Sequence, residues 1–449
     1  MYPHPKPSHK TNPRRRKQIW QWVKKLLTAI LALLRLLVGL LRRVFLGLIS
    51  QLSKVQRRNQ ILAIILLLIW TAIILGYFIF QGSYTFEGYL LVEEMSFTYT
   101  GGQNKRFLNT IRDIKNLDLE GSQPQSLVLT GKFSSDLDPQ LNEKLSQLKQ
   151  LTIELPYPKS RLIFTPTNPT QTNAISILKF SINPESQVNQ LNYNSQPSQL
   201  SFCLQSAKEK LESCLFPDGL LDNYLPSQAA TVGSLELQLG QQPLTVSLTM
   251  FNLPELGIQS DIYDLQELSF QFIPEIDELQ LTTLSPTRLL IDLPNLSKTG
   301  NSQTEKPPQW FWGDIDVKDV SFSKFQITEN VNDELKTSTI ISGEVRMKNK
   351  TLKLQDNQFL IVFSDKPGIR KLRYIQIKTK PTQGLQTLIS GESEGIAVGL
   401  YPEFPVESIK PSWLSKNLSQ EGINALLAFI AALTGVLLPS LFPESPKQP

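Results

Sequence analysis

Histidine is nearly missing from this 449-residue chain, whose only two, His4 and His9, lie at its very start. Beyond them no imidazole can act as a general base or metal ligand. That excludes Ser-His-Asp and Cys-His catalysis, and histidine-bound zinc, unless a partner supplies the ring. Cysteine is equally scarce: Cys203 and Cys214 are the only two, so there is no CxxC motif for redox or zinc chemistry. Phosphate-cradling glycine loops and dinucleotide fingerprints are missing as well, and no cofactor is expected. Acidic residues are missing from one end. Residues 1–86 hold 14 of the 45 Lys and Arg and none of the 40 Asp and Glu, so a net charge of +5 conceals a basic first segment and an acidic remainder.

A basic segment without acids suits nucleic-acid phosphates, anionic lipid or an organelle-targeting peptide. Its leucine content favours lipid, and nucleic acid is not expected as a partner. The run LLRLLVGLLRRVFLGLI, residues 33–49, is typical of it. On a helical wheel Lys17, Lys24, Lys25, Arg35, Arg42, Arg43, Lys54, Arg57 and Arg58 share one sector. Leu27, Ile30, Leu34, Leu41, Phe45 and Leu48 fill the other side. The stretch from Leu26 to Leu41, which holds one charge, would be about 24 Å long against a hydrocarbon core of about 30 Å. Residues 17–58 are therefore expected to form a basic amphipathic helix lying on the cytoplasmic face of a membrane, with anionic phospholipid as its partner. Packing on a partner protein is the alternative. Residues 1–16 read as a disordered basic tail.

Two uncharged runs follow the length rule for spans. ILAIILLLIWTAIILGYFIF, residues 61–80, is preceded by Arg57 and Arg58 and followed by Glu87, Glu93 and Glu94. That asymmetry puts the amino terminus in the cytoplasm and the chain from residue 83 outside it, in a plasma or inner membrane. GINALLAFIAALTGVLLPSLF, residues 422–442, is expected as a second span, with a surface-lying or buried tail as the alternative. Small residues recur every four positions, Ala72 with Gly76, Ala428 with Ala432, and Ala431 with Gly435, a spacing that permits close helix contact in lipid. Either the two spans pack together or one of them self-associates into a homo-oligomer.

Between the spans the punctuation is that of a β-protein. Alternating runs at 126–133, 150–157, 234–240, 244–253 and 371–379 are bounded by Pro, Gly, Asn and Ser, and helical patterns are confined to 138–151 and 206–213. The composition break SKTGNSQTEKPPQ, residues 297–309, predicts a linker between a β-rich domain at 83–296 and a second at 310–420. A theme recurs at irregular intervals: VEEMSFT at 92, PSQLSFC at 197, LQELSFQ at 265 and VKDVSFS at 317. The expected fold class is a membrane-anchored all-β region, mainly antiparallel, extracytoplasmic, with minor helices. An amphipathic helix precedes it, and one or two transmembrane helices accompany it.

Few residues offer chemistry. Ser321 and Lys324 have the S-x-x-K spacing, but that pairing needs a helix and this stretch alternates like a strand. Asp314 and Asp316 share a strand face without the glycine turn and distal glutamate of a calcium loop, and no metal site is expected. Cys203 and Cys214 are read as a disulfide, the fate of two cysteines in an oxidising compartment. Eleven residues of continuous helix would hold their Cα atoms about 16 Å apart, against a limit of about 7 Å, so the bridge requires the segment to fold back. The stretch SPTRLLIDLP, residues 285–294, resembles the closing strand of AMIN domains, β-rich envelope modules associated with peptidoglycan and secretion machinery; YPKSRLIF at 157–164 is a weaker echo. The resemblance covers ten residues and transfers no binding residue.

The expected function is accordingly non-enzymatic: an extracytoplasmic β-rich binding or scaffolding module for an unidentified membrane or envelope protein. A lipid carrier with an apolar β-groove is one alternative. A histidine-free hydrolase acting through paired carboxylates is the other.

Overall fold

The computed structural model describes residues 83–412 and 418–441, apart from 122–124, 137–138, 158, 171, 209–229, 261–266, 295–308, 327–334, 364–367 and 381, together with residues 65, 68 and 70. The chain divides into two compact units, one drawn from both chain ends and one running from Gln81 to Pro411. The second is almost wholly antiparallel sheet. Its strands are β1 (Tyr84–Val92), β2 (Glu94–Tyr99), β3 (Lys105–Leu108), β4 (Asn116–Glu120), β5 (Gln125–Ser134), β6 (Gln150–Leu155), β7 (Arg161–Pro166), β8 (Ile175–Ile182), β9 (Ser186–Asn194) and β10 (Gln199–Ser206). They continue as β11 (Thr231–Leu239), β12 (Leu244–Thr249), β13 (Asn252–Leu253), β14 (Ile258–Gln259), β15 (Glu267–Pro274), β16 (Glu278–Leu284), β17 (Thr287–Asp292) and β18 (Ile315–Ser321). The last are β19 (Ser323–Gln326), β20 (Leu335–Ser338), β21 (Ile340–Met347), β22 (Lys350–Leu354), β23 (Phe359–Phe363), β24 (Ile369–Lys378), β25 (Gly384–Ser393), β26 (Gly395–Tyr401) and β27 (Phe404–Ile409). A short helix, α1 (Pro139–Gln147), lies beside β5.

Alternation is what makes these segments strands. In β6, β7, β12 and β17 buried and half-exposed residues alternate, so every second side chain reaches the core. Eighteen strands form one continuous ladder, and near each end two strands consecutive in sequence lie four pairings apart in it. At one end β1 pairs with β25, β25 with β24, β24 with β18 and β18 with β2, which follows β1 across the single residue Glu93. At the other, β12 pairs with β15, β15 with β5, β5 with β6 and β6 with β13, which follows β12 across Met250 and Phe251. Met250 turns that corner at φ 53°, a conformation a bulky side chain rarely takes. Two buried serines hold it: Ser160 Oγ donates to the Met250 carbonyl at 2.6 Å, and the Phe251 amide donates to Ser260 Oγ at 3.0 Å.

A second layer, ordered β16-β11-β8-β3, packs over the ladder. Their shared core is aromatic: Phe107 of β3 meets Phe180 of the same layer and Phe97 and Phe202 of the ladder, with ring centroids 5.8–6.4 Å apart. The recurring Ser-Phe theme is explained by this core. Phe97, Phe202, Phe270 and Phe322, one from each copy, are all buried.

The segment 297–309 does not separate two contact units. Residues Gln81–Pro411 form one, because β1 and β2 from the front of the region are hydrogen-bonded to β18, β21 and β25 from the back. Composition registers a polar, proline-bearing crossing; it does not register ladder partners. Residues 297–308 themselves lie outside the described residues.

In the other unit, helix α2 spans Gln420–Leu441. Among the described residues no helix is long and apolar enough to cross a membrane. Those residues include only three of 61–80, and in α2 they include no side chain beyond Val436. The basic amphipathic helix expected at 17–58 lies outside them.

Candidate functional site

Most residues expected to bind or pack fall where nothing is described: Lys17, Lys24, Lys25, Arg35, Arg42, Arg43, Lys54, Arg57, Arg58, Ala72, Gly76 and Cys214. Three groups can be placed. The first is on α2. Ile423 and Ile430 are each 2% exposed and Thr434 is half-buried, and on a helix these positions fall within a narrow sector. Thr434 accepts a 3.0 Å hydrogen bond from the indole N–H of Trp70, and donates its own proton to the Ile430 carbonyl at 2.7 Å. Ala428, Ala431, Ala432 and Gly435 are exposed on a different face, and a Cβ added at Gly435 would meet nothing within 4 Å. Among the described residues, a hydrogen bond between a tryptophan and a threonine joins the two apolar runs. A hydroxyl inside an uncharged run was the signal available in the sequence.

The second is Cys203, buried in β10 and disulfide-bonded. No described cysteine is free.

The third comprises the residues that resembled chemistry. Ser321 Oγ lies 2.7 Å from Ser323 Oγ, while Lys324 pairs with Glu93 at 3.2 Å. Serine and lysine thus have separate partners and form no dyad. Asp316 pairs with Lys371 at 3.5 Å, and among the described residues no group of His, Cys, Asp and Glu could hold a metal ion.

The neighbouring Glu94 is a carboxyl perturbed by burial. Burial pushes it above the ordinary carboxylate value of 4.5, Lys324 draws it down and Glu93 pushes it up. A folded carboxyl that holds its proton more tightly than the unfolded one stabilises the fold as pH falls from neutrality, and the gain is complete below the unfolded value. Glu94→Gln should therefore raise the denaturation midpoint at pH 7 and flatten its rise on acidification. A midpoint unchanged or lowered at pH 7 would show that the ionised carboxyl is held by compensating contacts.

One open end of the ladder is β22, whose exposed Lys350 and Lys353 discourage strand addition. The β26–β27 hairpin is different. Leu400, Tyr401, Phe404 and Val406 are 57–75% exposed, while at its base Lys410 Nζ lies 4.3 Å over the Phe363 ring. Nothing in the sequence separates these apolar residues from core strands, since exposure is not written in residue type. Residues Thr287–Asp292 of the AMIN-like stretch form β17, an interior strand between β10 and β4. Comparison with protein-family models, curated proteins and solved structures gives no match, so this local resemblance assigns no family.

Proposed function

We propose that the chain is a non-enzymatic membrane protein. In this reading two antiparallel spans, residues 61–80 and 422–442, hold the β-unit on the extracytoplasmic side, where it acts as a binding or scaffolding module. The basic segment 17–58 rests on anionic lipid of the opposite leaflet. The observation that carries the reading is the Trp70–Thr434 hydrogen bond, which joins two uncharged runs 364 residues apart. If both runs have their outer ends next to the β-unit, Trp70 lies about 15 Å and Thr434 about 18 Å below that boundary at 1.5 Å per residue. The depths agree as antiparallel spans require, and in hydrocarbon the indole N–H needs such an acceptor. The sequence from Gln420 to Leu441 would make a helix of about 33 Å, enough for a core of about 30 Å. The bonded Cys203 suits an oxidising compartment, and Cys214 completes the pair in this proposal.

Topology is the test. Protease added to intact cells or sealed right-side-out vesicles should digest residues 83–411 without lysis. Unreduced, denatured protein should show no free thiol and should change gel mobility on reduction. A β-unit cleaved only after lysis, with two free thiols, would place it in the cytosol and overturn the proposal.

A further inference from the structure

The β26–β27 hairpin carries an apolar end that the fold does not use. β26 is buried from Gly395 to Gly399, and then Leu400 and Tyr401 emerge at 57% and 62% exposure. After the two-residue turn at Pro402 and Glu403, β27 returns with five consecutive exposed residues before Ile409 is buried again. Phe404 and Val406 are the most exposed, at 71% and 75%. Neighbouring side chains of a strand point to opposite faces. A run bare at every position of this edge strand therefore leaves both of its faces uncovered.

We propose that this hairpin end inserts into the headgroup layer of the membrane that anchors the chain, an inference that rests on the membrane reading above. A protein docked on a sheet covers one face and leaves the other wet. A strand added to the edge of β27 would meet Pro405, which has no N–H to offer. A bilayer interface surrounds what enters it and favours Tyr and Phe beside aliphatic groups. The carboxylates set the depth: Glu403 at the turn and Glu407 behind it confine the hairpin end to the headgroup layer, where Leu400, Tyr401, Phe404 and Val406 pack beside them. The sequence favours that occupant too. From Ile409 it needs ten residues, Trp413 among them, to reach the apolar helix that begins at Gln420.

The full-length chain, reconstituted in vesicles of phosphatidylcholine and phosphatidylglycerol, tests this with a photo-crosslinker. Phe404→p-benzoylphenylalanine and Val406→p-benzoylphenylalanine should each give phospholipid adducts in about fivefold higher yield than Ile276→p-benzoylphenylalanine, a control that is 54% exposed in the same unit. Equal yields, or crosslinks to polypeptide only, would overturn the insertion. Carbonate extraction separates the two levels of failure. A chain that stays with the vesicles but gives no excess adduct refutes the hairpin contact alone, whereas a chain released by carbonate refutes the membrane anchoring itself.

Discussion

Replacing Phe107 by alanine is expected to destabilise the β-unit by about 4 kcal/mol, the upper part of the range for deleting a buried phenyl ring. Phe107 is 0% exposed. Its ring packs edge-on against Phe97, Phe180, Phe202 and Phe311, with centroids 5.4–6.4 Å away. Edge-to-face pairs add about 0.5–1.5 kcal/mol beyond area burial, and the void left behind would be walled by rings that cannot all collapse into it. Domains of this kind are stable by about 5–15 kcal/mol in total, so the variant should lose between about a quarter and four fifths of that stability. Phe133 offers the comparison. Among the described rings it pairs with Phe270 and Phe272, and Phe133→Ala should cost less. Urea unfolding of the full chain in detergent, followed by tryptophan fluorescence, measures both. A loss under about 2 kcal/mol for Phe107→Ala would mean the two layers are not joined through that ring.

Arg161→Ala is expected to be nearly as damaging, at about 3 kcal/mol near neutral pH, and more damaging than Asp118→Asn. The Arg161 guanidinium grips Asp118 with both arms, Nε to Oδ1 at 2.9 Å and Nη2 to Oδ2 at 2.5 Å. The two partners are unequally placed: the Asp118 side chain is 3% exposed and that of Arg161 45%. Removing the arginine strands a carboxylate away from water, whereas removing the carboxylate leaves a guanidinium that water can still solvate. Glu120 and Glu267 also stabilise the charged guanidinium, so its loss leaves like charges facing one another. Equal losses in Arg161→Ala and Asp118→Asn, measured by urea unfolding, would assign the effect to packing of the arginine stem instead.

Strand type was legible in the sequence because a half-buried strand must alternate, and the run at 150–157 shows it as plainly as β6 does. Ladder partners were not. Residues 244–253 read as one strand, yet the left-handed turn at Met250 sends β12 to β15 and β13 to β6, a corner set by serines supplied from elsewhere in the chain. The break at 297–309 looked like a domain boundary because composition records polarity and proline, not hydrogen bonds made across it. On α2, residue size drew notice to Ala428, Ala431, Ala432 and Gly435, but not to the hydrogen bond between Trp70 and Thr434. The hairpin at 400–406 carried no signal at all, since an apolar residue looks the same whether it faces a core or the outside.

The first strand, β1, lies between β21 and β25 and is hydrogen-bonded to both. Roughly three hundred residues separate it from the second of these, which a ribosome working at about 5–20 residues per second needs some 15–60 s to add. For that time Leu90, Leu91 and Val92, all buried in the finished fold, wait with no ladder on either side. Chains that must join such distant segments fold slowly. In this chain the opening strand gains its neighbours only when the closing strands have emerged.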